Sequence, residues 1–301
     1  MYHSKISGLG YYVPENVVTN DDLSKIMDTN DEWIQERTGI KERRHIIRGE
    51  DTTTSMGVKA AEIAIQRANV AKEDIDFVIF ATLSPDYYFP GPGVLVQRDL
   101  GLRTVGALDV RNQCSGFVYA ISIADQYIKT GMYKNILVIG SEVHSTGLDM
   151  TDRGRGVSVI FGDGAGAAVL SREEDLSKGI LSTHLHSEGQ HAEELSLVAP
   201  GMGKRWVTDI IADNDPNDES YYPYMNGQFV FKNAVVRFSE VINEGLQANN
   251  LQVSDINMLV PHQANLRISQ FIQQKFKLSD DQVYNNIMNY GNTTAASIPI
   301  A

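Results

Sequence analysis

Residues 65–79, IQRANVAKEDIDFVI, recur without a gap at 246–260 as LQANNLQVSDINMLV, 181 positions further along the chain. Gln, Asn, Asp and Ile fall at matching places, and the apolar positions correspond. Each copy reads as an amphipathic helix ending near Asn69 or Asn250, a short turn, and a strand beginning after Asp74 or Asp255. A chain carrying one such unit twice, in the same order, is expected to fold as two similar halves. Around the repeat, the apolar runs DFVIFATL, TVGALDV, NILVIGSE, VSVIFGD and GAAVLS alternate with the helical segments TSMGVKAAEIAIQRANV and FVYAISIADQYIKTGMY. Near-continuous apolar strands between helices predict a sheet covered on both faces, an α/β fold.

The halves divide at residues 1–171 and 172–301. Between them, 199–228 is acidic and rich in Gly, Pro, Asn and Asp, which predicts a long surface loop at about 199–224, either a connection or a flap beside a site. The first half runs on from Cys114 through two further strands to about Ser171, whereas the second ends at Ala301, nine residues past Asn292. The closing strands of the second half, about 35 residues if the halves match, are therefore expected to be missing.

Charge narrows the partners. A net charge of −12 opposes general binding to nucleic acid, which needs a basic surface. Basic clusters persist at 41–48 (KERRHIIR), at 152–155 (DRGR), and at Lys232, Arg237, Arg267, Lys275 and Lys277. They read as solvated surface or as contacts for an acidic cofactor or carrier protein. The N-terminal stretch has no apolar core of a secretory signal, and no apolar run approaches the roughly 18 residues of a membrane span. A single cysteine cannot form an internal disulfide, which points to a reducing cytoplasm.

That cysteine, Cys114, lies in VRNQCSGFVYA, between the strand GALDV and an apolar helix ending at Gly131. A lone cysteine can serve as a small buried hydrophobe. At a helix start, however, free N–H groups and the positive end of the dipole favour a thiolate. In the second half, His262 follows the repeated strand in MLVPHQANLRI, and Asn292 follows a glycine in NYGNTTAAS. The duplication places all three at strand ends entering helices, the edge where α/β folds gather ligands and catalytic groups.

DEWIQERTGIKERR, CSGFVYA, DMTDRG, FGDGAGAAVL, VPHQANLRI and GNTTAAS together resemble the β-ketoacyl-acyl-carrier-protein synthase III family, initiating condensing enzymes of the thiolase superfamily. The resemblance implies a thiolase-like fold of two βαβαβ-type halves in α-β-α-β-α layers. It also implies a homodimer that condenses an acyl-CoA primer with malonyl-acyl carrier protein, with no metal and no cofactor beyond the CoA thioester substrate. By resemblance Cys114 is the acyl-accepting nucleophile and His262 and Asn292 its companions. Thr29, Trp33, Arg37 and Arg153 correspond to contacts of the CoA nucleotide, and Gly227 and Asn265 to the pantetheine tunnel. Phe89 corresponds to a residue that closes the neighbouring subunit's acyl pocket. Lys232, Arg267 and Lys275 then suit docking of the acidic carrier.

A single cysteine disfavours thiolase chemistry, and a papain-like protease lacks its signature here. The resemblance leaves a specialised-metabolism paralogue and a truncated inactive relative as alternatives. Three departures stand out: Gln113 where the family has alanine, expected to make the pocket wall more polar, the long 199–224 segment, and no closing GFTWGSA-like segment. A glycine in that segment supplies an oxyanion donor, so a protein ending at Ala301 is expected to fold poorly and show little activity. In FGDGAGAAVL the small residues suit close packing better than phosphate binding.

Overall fold

The computed structural model describes residues 2–201, 215 and 217–301; most of the expected 199–224 loop, 202–214 and 216, lies outside the described residues. Strand β1 (His3–Tyr12) opens the chain. A ribbon of β2 (Val17–Thr19) and β3 (Glu42–Arg44) then brackets helices α1 (Asn20–Ser24) and α2 (Asp31–Thr38). The first half continues as α3 (Thr53–Ala68), β4 (Phe77–Ala81), α4 (Pro92–Asp99), β5 (Gly106–Val110), α5 (Gly116–Lys129), β6 (Asn135–Glu142), α6 (Arg155–Ser158) and β7 (Gly164–Glu173). Five strands form one sheet in the order β1-β7-β6-β4-β5. β4 runs parallel to β5 and β6, and β7 antiparallel to β6 and β1.

The apolar runs are continuous because the sheet is buried on both faces. Val78, Phe80, Leu137, Ile139, Ala167 and Val169 pack with α3 residues Met56, Ala60 and Ala64. Their sequence neighbours Ile79, Ala81, Ile136, Val138 and Ala168 face the other way, onto Phe117, Ala120, Ala124 and Ile128 of α5. Period-two alternation thus survives within runs that look uniformly hydrophobic.

The repeat has a backbone counterpart. Asn69 and Asn250, 181 apart, both take left-handed φ of 53° and 55°. Each is followed by a short 3-10 turn, Lys72–Asp74 and Val253–Asp255. The same offset recurs at Gln113 (φ 43°) and Thr294 (φ 53°), which open the turns Gln113–Ser115 and Thr294–Ala296. These two elbows lead into α5 and into the final helix.

In the second half, β8 (Leu195–Ser196) pairs with β9 (Tyr224–Met225), followed by α7 (Gly227–Ala248), α8 (Leu266–Phe276), α9 (Ile287–Tyr290) and α10 (Ser297–Ile300). The strand expected after Asp255 is one parallel bridge between Leu259 and Val283. β4 is held by strands on both sides; among the described residues its counterpart is held on one side only, so its ladder does not extend.

One further expectation differs, and one strand went unread. VSVIFGD is not a strand: 155–158 is α6, and Phe161 makes an isolated bridge to Asn292. Its hydrophobicity serves contact between the halves. β1 carries no continuous apolar run, since its Ile6, Leu9 and Tyr11 are exposed, so the sequence pattern gave no signal for it.

Gly140 and Gly166 face each other across the β6–β7 ladder. A Cβ on Gly140 would meet the Ala295 carbonyl oxygen at 2.4 Å, and one on Gly166 the Pro299 side chain at 2.6 Å. The missing side chains form a notch that seats the second elbow and α10 on the sheet of the first half. Small residues in FGDGAGAAVL do serve close packing. Overpacking a filled interior costs roughly 1–3 kcal/mol. Gly166→Val should therefore lower the urea midpoint with little change in slope. Gly156→Ala, at a site where a Cβ meets nothing within 4 Å, should leave the midpoint unchanged. Equal midpoints for the two variants would contradict the notch.

Candidate active site

Cys114 occupies the elbow between β5 and α5 and is half-buried. The elbow is braced locally: Ser115 Oγ donates to the Asn112 carbonyl at 3.1 Å and accepts from Asn112 Nδ2 at 2.9 Å. Gln113 is exposed and turns the chain at φ 43°.

Asn292 faces this elbow from the second half. Its N–H donates to the Ile160 carbonyl at 2.9 Å and its carbonyl accepts from Gly162 at 3.1 Å, which fixes its backbone to the first half. Its Oδ1 accepts the Thr294 N–H at 2.9 Å. The amide is thereby held on the side of Cys114, near enough to favour its thiolate.

His262 follows the Leu259 bridge and precedes α8. Its Nδ1 lies 2.6 Å from Oγ of Ser297, the first residue of α10. That oxygen also accepts the Gln263 N–H at 3.4 Å, so the hydroxyl hydrogen is free to point to Nδ1. The proton of a neutral imidazole then sits on Nε2. Burial pushes the His262 pKa down from 6.5 to about 4, which keeps the ring neutral. Nε2 is buried with no hydrogen-bond partner among the described residues.

Beneath both elbows lies Glu142, the last residue of β6 and fully buried. Its carboxylate accepts from Ser84 Oγ at 2.7 Å, Thr82 Oγ1 at 3.0 Å and the Leu83 N–H, and the Ala295 N–H is near enough to lower its pKa. Burial raises its pKa to about 7 against these donors. The Cys114 thiol is pushed up to about 12, first by burial and then by the negative charge of Glu142. The Cys114 N–H and Asn292 oppose this without reversing it. Desolvation and the Glu142 charge thus oppose the thiolate that a helix start favours.

The remaining candidates fall in two groups. Trp33, on α2, carries the Arg37 guanidinium at 4.6 Å and that of Arg155 at 4.8 Å from its ring centre. Thr29 is close by in sequence, with its Oγ1 buried and unpartnered among the described residues. Arg153 is engaged elsewhere, with Asp149 at 2.5 Å and 5.0 Å above the Tyr222 ring; Arg155, which sequence reasoning missed, takes the place beside Trp33. Asn265 caps α8, accepting from Arg267 N–H at 2.9 Å, while its Nδ2 donates to the Arg37 carbonyl at 2.9 Å. Gly227 opens α7 and is exposed.

Farther out, Lys232, Arg267 and Lys275 are exposed on the packed helices α7 and α8, with Arg267 stacked 5.5 Å from Phe231. Arg237 is paired with Glu188 and Glu240, and Arg43 is fully buried, donating to the Val18 and Val159 carbonyls. Those two members of the basic clusters are structural. Phe89 is 82% exposed, beside the also exposed Tyr87 and Tyr88. Among the described residues no group of three or more His, Cys, Asp or Glu could hold a metal, and no helix is long and apolar enough to cross a membrane.

The α/β sheet and the two matching elbows, one carrying Cys114 and the other following Asn292, are those of a family of condensing acyltransferases. Residues 108–189 match the family 3-oxoacyl-(acyl-carrier-protein) synthase III, and 246–301 match its C-terminal part. The β-ketoacyl-(acyl-carrier-protein) synthase III of Sulfurimonas denitrificans is 43% identical over 302 residues, covering 100% of this chain and 89% of that one. That of Aliivibrio fischeri is 46% identical over 300 residues, covering 99% and 89%. The crystal structure of the Aquifex aeolicus 3-oxoacyl-(acyl-carrier-protein) synthase III superposes with a TM-score of 0.88 at 43% identity, covering 99% of this chain and 88% of that one. The chain belongs to the 3-oxoacyl-(acyl-carrier-protein) synthase III family, condensing acyltransferases that initiate fatty acid biosynthesis.

Two measurements check the electrostatics. Alkylation of Cys114 by iodoacetamide should be slow at neutral pH and rise only in strongly alkaline solution. Glu142→Gln should shift that rise to lower pH, because it removes a negative charge that opposes the thiolate; an unshifted profile would exclude the coupling. Second, an imidazole that titrates at 6.5 when unfolded but at about 4 when folded makes the unfolded chain bind more protons between those values. Stability should fall as pH drops from about 6.5 toward 4, read from urea midpoints, and His262→Gln should flatten the fall.

Proposed function

We propose that Cys114 accepts an acyl group from an acyl-CoA primer and that His262 and Asn292 then direct its condensation with malonyl-acyl carrier protein. In the first step the Cys114 sulfur attacks the thioester carbonyl. A new carbon–sulfur bond forms, the bond to CoA sulfur breaks, and the thiol proton leaves with CoA. Thioester exchanges for thioester, so the step is near balance and an acyl-enzyme results. In the second step the malonyl carboxylate departs as CO2, leaving its electron pair as an enolate. His262 Nε2–H and Asn292 Nδ2 donate to the enolate oxygen. The enolate carbon attacks the acyl-Cys114 carbonyl and expels the thiolate, giving a β-ketoacyl thioester on the carrier. Loss of CO2 generates the carbanion, so no strong base is needed and neutral donors suffice.

The observation that carries this reading is the buried, unpartnered Nε2 of a neutral His262, together with an Asn292 amide held on the side of Cys114. A buried N–H donor left unpaired costs about 1–3 kcal/mol, a cost recovered when an oxyanion forms opposite it.

Trp33, Arg37, Arg155 and Thr29 would receive the CoA nucleotide, an aromatic face between cations suiting a planar base and its phosphates. Arg153 contributes from beside Tyr222, and Gly227 and Asn265 flank the pantetheine path. Exposed Lys232, Arg267 and Lys275 form a basic patch for the acidic carrier on an otherwise acidic protein. Open Phe89 and the unpaired edge of β5 support a homodimer in which Phe89 reaches the partner's acyl pocket. The two halves, 1–171 and 172–301, each contribute one elbow, and the single cysteine suits the cytoplasm. No cofactor enters beyond the CoA thioester.

Labelled acyl-CoA followed by peptide mass mapping tests the assignment. Label should appear on the Cys114 peptide and vanish in Cys114→Ser. His262→Ala and Asn292→Ala should still acylate while condensation falls about 100- to 1000-fold. Acylation that persists in Cys114→Ser would overturn it.

A further inference from the structure

The donor that turns Asn292 toward Cys114 is the Thr294 N–H, and Thr294 is a β-branched residue at φ 53°. Such residues rarely occupy the left-handed region, and they do so where surrounding contacts hold them. One contact stands out: His144 Nε2 lies 2.6 Å from Thr294 Oγ1, across 150 residues of sequence. The His144 ring is itself immobilised. It packs 4.8 Å from the Phe161 ring, whose backbone neighbours Ile160 and Gly162 grip Asn292. Its backbone N–H donates to Asp163 Oδ1 at 2.6 Å, and the same carboxylate accepts the N–H groups of Ser145 at 2.9 Å and Ile46 at 2.7 Å. Two residues earlier, Glu142 lies near enough to the Ala295 N–H for that group to lower its pKa. The end of β6 and the residues just after it thus face consecutive residues of the second elbow, with a side-chain hydrogen bond at 294.

We propose that His144 is a positioning residue for Asn292: it clamps the Thr294 hydroxyl and so fixes the N–H that orients the Asn292 amide over Cys114. The inference rests on the roles proposed above for Cys114 and Asn292. None of the contacts that brace the Cys114 elbow, between Asn112 and Ser115, runs through His144. Losing the clamp therefore separates the two half-reactions. Acyl transfer to Cys114 persists, while decarboxylation and condensation, which need the amide at the enolate oxygen, decline.

Two variants remove the same bond from its two ends, His144→Leu and Thr294→Ala, and His144→Gln retains a nitrogen at the position of Nε2. Acyl-enzyme formation is followed by intact mass with acyl-CoA, and condensation by release of labelled CO2 from malonyl-acyl carrier protein. Both removal variants should acylate at the wild-type rate yet lose about 10- to 100-fold in condensation, the scale of a misplacement of about 1 Å. His144→Gln should recover most of the loss. If His144→Leu does not fold, Thr294→Ala decides alone. Condensation unaffected in the folded variants, or acylation and condensation falling together, would overturn the clamp. Failure of the underlying reading is distinct: Asn292→Ala would then condense like wild type, or the wild-type Cys114 would never take up label.

Discussion

The site depends on backbone lying directly against backbone. At Gly140 and Gly166 the sheet of the first half presents no side chains, and residues 295–299 of the second half settle into that gap. From this contact the rest follows. Thr294 and Asn292 are carried to the end of β6, Ser297 arrives under His262, and the Cys114 elbow finds a second elbow opposite it. A sheet with ordinary side chains at those two positions would hold the halves apart by the thickness of a residue. Asn292 would no longer lie beside Cys114 across such a separation.

The polar groups at the junction are matched to a reaction that passes through neutral donors. Burial keeps His262 and His144 uncharged and Cys114 protonated. Beneath the elbows Glu142 is fully buried and hydrogen-bonded by the Ser84 and Thr82 hydroxyls and the Leu83 N–H, with its pKa raised to about 7. A carboxylate here stabilises the elbow by facing its N–H, and the same charge restrains the thiol from ionising. Stability of the elbow and reactivity of the sulfur therefore pull in opposite directions through a single side chain, a tension typical of working sites.

Much of this was legible in the sequence. The helices α3 and α5 and the strands β4, β5, β6 and β7 announce themselves by long apolar runs. The 181-residue repeat foretold the matching turns at Asn69 and Asn250, and it led to His262 and Asn292. What could not be read follows a common pattern: single polar contacts across long sequence separations leave no period. Ser297 looks like one more small residue in a run of them, and His144 gives no sign that it reaches Thr294. Glu142 alone carried a signal, as an acid closing an otherwise apolar strand. β1 was hidden because its apolar side chains point to solvent, and 157–163 misled because hydrophobicity that joins two halves looks like hydrophobicity that builds a strand.

The equivalence of the two elbows also explains why the copies had to diverge. By the same offset that relates Gln113 to Thr294, the position matching Cys114 is Ala295. Its side chain is buried in the apolar cluster of Ile79, Ala81, Phe117 and Ala120. A thiol there would be walled in, unable to meet a substrate and too bulky for the seam. The pseudo-symmetric architecture can therefore present one reactive sulfur and not two. Its second copy, barred from nucleophilic work by crowding, is left free to become the rigid half of the pair.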